Sequence, residues 1–176
     1  MSLTIIYIRH AEKAYANGKG PADLPHHDPD ILPEEEPKCQ ELGAHLIATY
    51  GPPDTVLSSP YLRARRTAAL LVSAIPEAIR PNIVLDAQIA EFLGHQKRYK
   101  EPDVYPETSC VGQLPPPRES FRALSDRGAA HLHAIGLAST SNSPYTGARN
   151  VWVVTHGLFI QTLVKLLKLQ WMSGLM

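Results

Sequence analysis

Two histidines in this 176-residue chain each stand at the end of an apolar, β-branched run. Thr4-Ile5-Ile6-Tyr7-Ile8 breaks into Arg9-His10, and Asn150-Val151-Trp152-Val153-Val154-Thr155 breaks into His156-Gly157. Such runs read as buried strands, which puts active side chains at strand carboxyl ends, where open α/β sheets place their ligands. A neutral imidazole at His10 is a nucleophile able to attack phosphorus, and Arg9 is a cation suited to hold a phosphate. Either histidine alone also reads as a polar residue capping a strand. Two of them on one parallel sheet can converge over its edge, and that coincidence favours a site.

Two further segments carry groups of the matching kinds. Ser58-Ser59-Pro60-Tyr61-Leu62-Arg63-Ala64-Arg65-Arg66-Thr67 sets three arginines just inside a helix start. Cations there oppose the helix dipole, so an anion bound at that end would explain them better than helix stability does. Arg63, in the first turn, is the candidate phosphate ligand; Arg65 and Arg66 point elsewhere on the wheel, solvated or paired with carboxylates. Glu91 lies among apolar residues just after a strand, where partial burial would raise its pKa and let it protonate a leaving alkoxide. The plainer readings are a basic surface face and an ordinary loop carboxylate.

The elements that must position these groups alternate along the chain. Helical spacing covers Cys39 to Tyr50, with Gly51-Pro52-Pro53 as its stop. A short strand follows at Thr55-Val56-Leu57, and Ser59-Pro60 reads as N-cap and first helical residue of a helix to Ile75. A strand at Asn82 to Leu85, a helix from Glu119 to Leu137, the strand ending at His156 and a helix to Leu169 complete the series. This pattern predicts one α/β domain over residues 1–176, a three-layer α/β/α sandwich with a mostly parallel central sheet. Ten of the sixteen prolines fall in two loops, about 18–37 and 95–117, which follow the nucleophile and the acid and are expected to border the pocket. The run His95 to Lys100 reads as a solvated loop or a site for an anionic substrate.

Composition narrows the partners. Seventeen basic residues balance 17 acidic ones, so no global field collects nucleic acid or an anionic membrane. No apolar run reaches membrane-span length. The two cysteines, Cys39 and Cys110, form no metal spacing or disulfide framework, which suits a reducing interior. His26-His27 and His131-x-His133 do not present a common ligand face, so no metal is expected.

In order, these motifs resemble the histidine phosphatase superfamily, the phosphoglycerate mutase-like group of branch 1 type. Arg9-His10 with Glu12 looks like the nucleophile motif, and Ser59-Pro60 with Arg63-Ala64 and Thr67-Ala68 like the second-arginine motif. Glu91 falls where many members keep the proton donor, and Val154-Thr155-His156-Gly157 looks like the second-histidine motif. Ala11 stands where glycine is usual and Arg66 where glutamine is common; Pro33 and Glu36 also depart from the pattern. A weaker likeness, around Pro33, Glu91 and Arg98, is to the small phosphatase domain in a subunit of an RNA polymerase III transcription factor.

The resemblance implies two-step phosphoryl transfer through a phosphohistidine at His10. Arg9, Arg63 and His156 would neutralise the equatorial oxygens and Glu91 would act as acid, then base, with no metal and no cofactor. The expected function is hydrolysis of phosphomonoesters, on a phosphorylated small molecule or a phosphoprotein, including phosphotyrosine. The alternatives are a non-catalytic phospho-recognition or assembly module and a phosphoglycerate-type mutase. The expected location is cytoplasmic, with the nucleus also open, and the oligomeric state is left open.

Overall fold

A computed structural model describes residues 3–14, 28–92, 94, 110–116, 118–136 and 148–173, with no side-chain detail for 169–173. Half of the first proline-rich loop and most of the second lie outside the described residues, as do His26-His27, the run from His95 to Lys100 and the last three residues. Five strands form one sheet: β1 (Thr4–Arg9), β2 (Thr55–Ser58), β3 (Ile83–Asp86), β4 (Cys110–Val111) and β5 (Asn150–Thr155). Their order is β1-β5-β2-β3-β4, and every strand pair described is parallel. The helices are α1 (Glu36–Tyr50), α2 (Leu62–Leu71), α3 (Phe121–Gly136) and α4 (Gly157–Ser173).

The alternation in β5 sets the layers. Trp152 and Val154 pack with Leu46 of α1 and with Ala64, Ala68 and Leu71 of α2. Val151 and Val153 turn the other way, onto Leu124 and Ile135 of α3 and Phe159 and Leu163 of α4. Because successive side chains of a strand point to opposite faces, this fully buried strand requires a helical layer on each side. Gly43 lets α1 and α2 approach closely: a Cβ there would lie 2.1 Å from the Leu71 carbonyl oxygen. Asn150 donates to the carbonyls of Tyr50, Gly51 and Pro52, and Asp54 accepts from the Arg149 and Asn150 amides, so the start of β5 is tied to the loop before β2.

Four expectations are corrected. The strand before His10 is an edge strand and is only half-buried, although both its faces are covered; the apolar run reflects the two faces, not two strand neighbours. The end of the first proline-rich segment is helical, because Pro33 opens a 3-10 turn and Pro37 falls in the first turn of α1, where its missing N–H costs nothing. Helix α2 starts at Leu62 and stops at Leu71, shorter than the predicted span from Ser59 to Ile75. Its N-cap residue is Tyr61, and the Leu62 amide is met by Asp28 Oδ1 at 2.8 Å. The strand β4 is an addition, two residues long and paired with the end of β3.

Candidate active site

Four of the five parallel strands, β1, β2, β3 and β5, deliver site residues at or just beyond their carboxyl ends, on one edge of the sheet. His10 follows β1 and keeps its strand bond, its amide donating to the Thr155 carbonyl at 2.9 Å. Ser59 follows β2, Glu91 follows the short turn after β3, and His156 separates β5 from α4. Arg63, in the first turn of α2, is buried at their centre.

Arg63 touches each of the other three. Its Nε donates to His10 Nε2 at 3.3 Å, and its Nη2 donates to Glu91 Oε2 at 3.0 Å and lies 3.4 Å from His156 Nδ1. His10 Nδ1–H donates to the Ala11 carbonyl at 2.7 Å, which leaves the lone pair on Nε2. Burial, with the repulsion a protonated His156 would add and the positive field of Arg63, pushes the His10 pKa down to about 3, so the ring is neutral. His156 is wholly buried, and burial lowers its pKa against the pull of Glu91. Its neutral ring donates Nδ1–H to Glu91 Oε2 at 3.0 Å and accepts from the Ser59 hydroxyl at Nε2, 2.8 Å away.

Glu91 departs from the expectation of a raised pKa. Burial does act upward, but His156 and Arg63 outweigh it and hold the carboxyl well below the usual range. The sequence showed apolar neighbours at positions 89, 90, 92 and 93 and could not show that two donors meet the carboxylate from other elements. The reading of Ser59 as a helix N-cap is corrected too, since its hydroxyl is committed to His156. Arg9 is exposed at the end of β1, and its side chain lies across Gly157, where an added Cβ would sit 3.5 Å from its Cδ and Nε. Among the described residues it makes no hydrogen bond to the other four. Arg66 pairs with Glu36 on the surface.

Several residues to which the sequence analysis gave no role complete the site. Asp28, buried, reaches Arg63 Nη1 at 3.5 Å while it meets the start of α2. Thr67 accepts from the Ala11 amide at 3.0 Å and donates to the Arg63 carbonyl, joining the turn after His10 to α2. Tyr61 is buried with its ring edge-on to His156 and 4.7 Å below the Arg63 guanidinium. Thr155 donates to the Ile89 carbonyl at 2.6 Å, linking the segment before Glu91 to the strand before His156. Thr67 and Thr155 had a sequence signal, as members of the second-arginine and second-histidine motifs.

One ligand atom each from His10, Glu91 and His156 lies within 4.8 Å of the others, a spacing that could hold a metal ion. Arg63 is in contact with the same three groups, so a cation is already in place there. His131 is buried and His133 exposed, and the two do not share a face. Among the described residues, no helix is long and apolar enough to cross a membrane.

Comparison with known proteins gives this geometry a family. No curated protein sequence matches. Among solved structures, the ecdysone phosphate phosphatase of Bombyx mori, solved with tungstate, is similar at TM-score 0.66 and 15% identity, over 92% of this chain and 75% of that one. The α-ribazole phosphatase of Shigella flexneri is similar at TM-score 0.62 and 20% identity, over 91% and 77%. A phosphoserine phosphatase of Entamoeba histolytica, solved with 3-phosphoglyceric acid, is similar at TM-score 0.55 and 20% identity, over 91% and 77%. At these identities the structures establish the shared fold, and the family model for branch 1 of the histidine phosphatases matches residues 5–173. The chain belongs to the histidine phosphatase superfamily, branch 1.

Proposed function

We propose that this protein hydrolyses phosphomonoesters through a phosphohistidine formed at His10 Nε2. The observation that carries the reading is the state of His10: Nδ1–H is spent on the Ala11 carbonyl, and the neutral ring turns its Nε2 lone pair to the Arg63 N–H, where a phosphate would bind. A module that merely bound an anion would need the cation and not the oriented nucleophile.

Substrate binding changes both partners of Arg63. A phosphate oxygen is a better acceptor than an imidazole nitrogen, so it draws the Arg63 N–H away and frees the Nε2 lone pair. The same dianion, set against Arg63, His156 and the exposed Arg9, puts negative charge beside Glu91 and raises its pKa, so substrate and proton enter together. Nε2 then forms the N–P bond while the P–O bond to the leaving group breaks, and the leaving oxygen takes the proton from Glu91. In the second half a water oxygen bonds to phosphorus and gives its proton to Glu91. The N–P electron pair returns to His10, and phosphate is released. Arg9, Arg63 and His156 stabilise charge on the transferring group, where loss of one donor costs about 10²–10³ in rate. The named neighbours, all phosphatases, support this reaction class.

The test is turnover of an aryl phosphate, the ester type of phosphotyrosine, by wild type, His10→Ala and Glu91→Gln in the presence of a chelator. The expected result is turnover in the wild type, an acid-labile phosphoryl label on it, and neither in His10→Ala. Glu91→Gln should be slowed by roughly 10²–10⁴, the usual worth of a general acid. Wild type that binds phosphate without turnover would point to a recognition module. Transfer of the label to an acceptor sugar or glycerate without phosphate release would point to a mutase.

A further inference from the structure

Glu91 stands on a short stretch of chain whose backbone is held from outside it. Residues Ala87 to Ile89 form one 3-10 turn, opened by Asp86, whose carboxylate accepts from the Gln88 amide. The next three carbonyls in line are all engaged. Arg127 Nη1, from α3, donates to the carbonyl of Gln88 at 2.6 Å and of Ala90 at 3.0 Å, and Thr155 takes the carbonyl of Ile89 between them. Arg127 is itself aimed by Glu119, whose two oxygens accept from Nε at 2.9 Å and Nη2 at 2.7 Å. The pair is nearly enclosed, with side-chain exposures of 10% and 2%, and the guanidinium lies 5.2 Å over the Phe159 ring.

We infer that Arg127, oriented by Glu119, is a positioning residue for Glu91: by gripping the backbone on both sides of Ile89 it fixes the carboxylate between Arg63 and His156. A buried ion pair is by itself weak evidence of a stabilising role, because desolvation offsets its attraction. Here both hydrogens of one guanidinium nitrogen are directed at carbonyls immediately before the candidate acid, a use that core packing does not require. Lysine cannot copy it, since a single ammonium lacks the planar fork that serves a carboxylate on one side and two carbonyls on the other. Arg127 is also one of the charges that lower the pKa of His156, so charge and grip have to be separated.

The separation comes from Arg127→Lys, which keeps a cation beside Glu119, and Glu119→Gln, which keeps Arg127 but loosens its aim. Both are compared with wild type in the full chain after thermal melting confirms folding. The kinetic outcome rests on the phosphatase activity proposed above. An alkyl phosphate, whose leaving group needs a proton, should be turned over about 10–10² more slowly by both variants, the usual size of an orienting-residue loss. A dinitrophenyl phosphate, whose leaving group needs none, should be turned over within a few-fold of wild type. Equal losses on both substrates would overturn the inference, since general loosening does not discriminate between leaving groups.

Carboxyl-carbon NMR of labelled glutamate provides a readout independent of turnover. Glu91 should stay ionised through the folded range of the wild type and should titrate within that range in Arg127→Lys. Glu91 that stays ionised in both proteins would overturn the positioning role even if neither hydrolyses anything. Absence of wild-type turnover with the NMR shift present would remove the phosphatase reading and leave the positioning role standing.

Discussion

At the scale of single residues, the site is a set of groups each holding another in one protonation state. Arg63 and His156 keep Glu91 ionised, Ala11 keeps the His10 proton on Nδ1, and Ser59 keeps the His156 proton on Nδ1. The Ser59 role gives a direct test, because the same serine would be a helix cap if sequence signals alone decided its use. A cap deletion costs about 1 kcal/mol of stability and leaves chemistry untouched. Loss of the donor to His156 frees its ring to switch tautomer and present a lone pair to the Glu91 carboxylate. Ser59→Ala should therefore lower kcat by about 10–10². An unchanged kcat with a lower melting temperature would return Ser59 to the capping role. The four residues of the central cluster were legible in sequence because each sits where an element begins or ends. Asp28, Glu119 and Arg127 were not, since their partners are brought to them only by the folded chain, 28 to 62 and 127 to 88 and 90; Thr67 stood in a motif, but its bond to Ala11 was equally out of reach.

The elements show the same division between local and distant causes. Strand β5 and its flanks were readable residue for residue, because five consecutive β-branched or apolar residues after Asn150, buried on both faces, leave no other pattern. Strand β4 was not, since two residues carry no period, and its existence depends on β3 lying beside it. The early end of α2 at Leu71 likewise had no clear breaker in sequence, and its late start reflects Ser59 and Tyr61 being drawn into the site. The crossing of α1 and α2 supplies the sharpest element-scale test. In an isolated helix, Gly43→Ala would gain about 1 kcal/mol from propensity. In this fold the new methyl would meet the Leu71 backbone carbonyl at 2.1 Å, and backbone cannot rotate aside. Overpacking costs about 1–3 kcal/mol and sometimes more, so the net change should be destabilising. The expected drop in melting temperature is about 2–6 °C. A raised melting temperature would show that the two helices can separate without loss and that their packing does not hold α2, and with it Arg63, in place.

For the molecule as a whole, the buried histidines set a direction for its response to acid. His10 is pushed down to about 3 and His131 to about 4, His156 is also lowered, and Glu91 is held below its usual range. In the unfolded chain the histidines take up protons near pH 6.5 and the glutamate near pH 4.3, whereas in the folded chain each does so only at lower pH. The unfolded state therefore binds more protons over this interval, and stability falls as pH drops from about 6.5 toward 4 and below. His10, His156 and Glu91 are tied to the site, but His131 is separable from it. It lies within α3 between the rings of Tyr7 and Phe159, with neither ring nitrogen hydrogen-bonded among the described residues. Asp86 Oδ2 stands 3.8 Å from Nδ1, too far for a hydrogen bond to rescue a charged ring, and burial with the opposing Arg127 charge keeps the ring neutral. A shift of that size corresponds to roughly 3 kcal/mol of stability lost on full protonation. His131→Leu removes the titrating group and keeps an apolar side chain of similar bulk between the two rings. Urea unfolding at about pH 7 and about pH 4.5 should therefore show a large loss in wild type and a clearly smaller one in His131→Leu. Equal losses in the two proteins would place the acid sensitivity wholly in the site cluster, and the cost of burying His131 uncharged would then have no part in it.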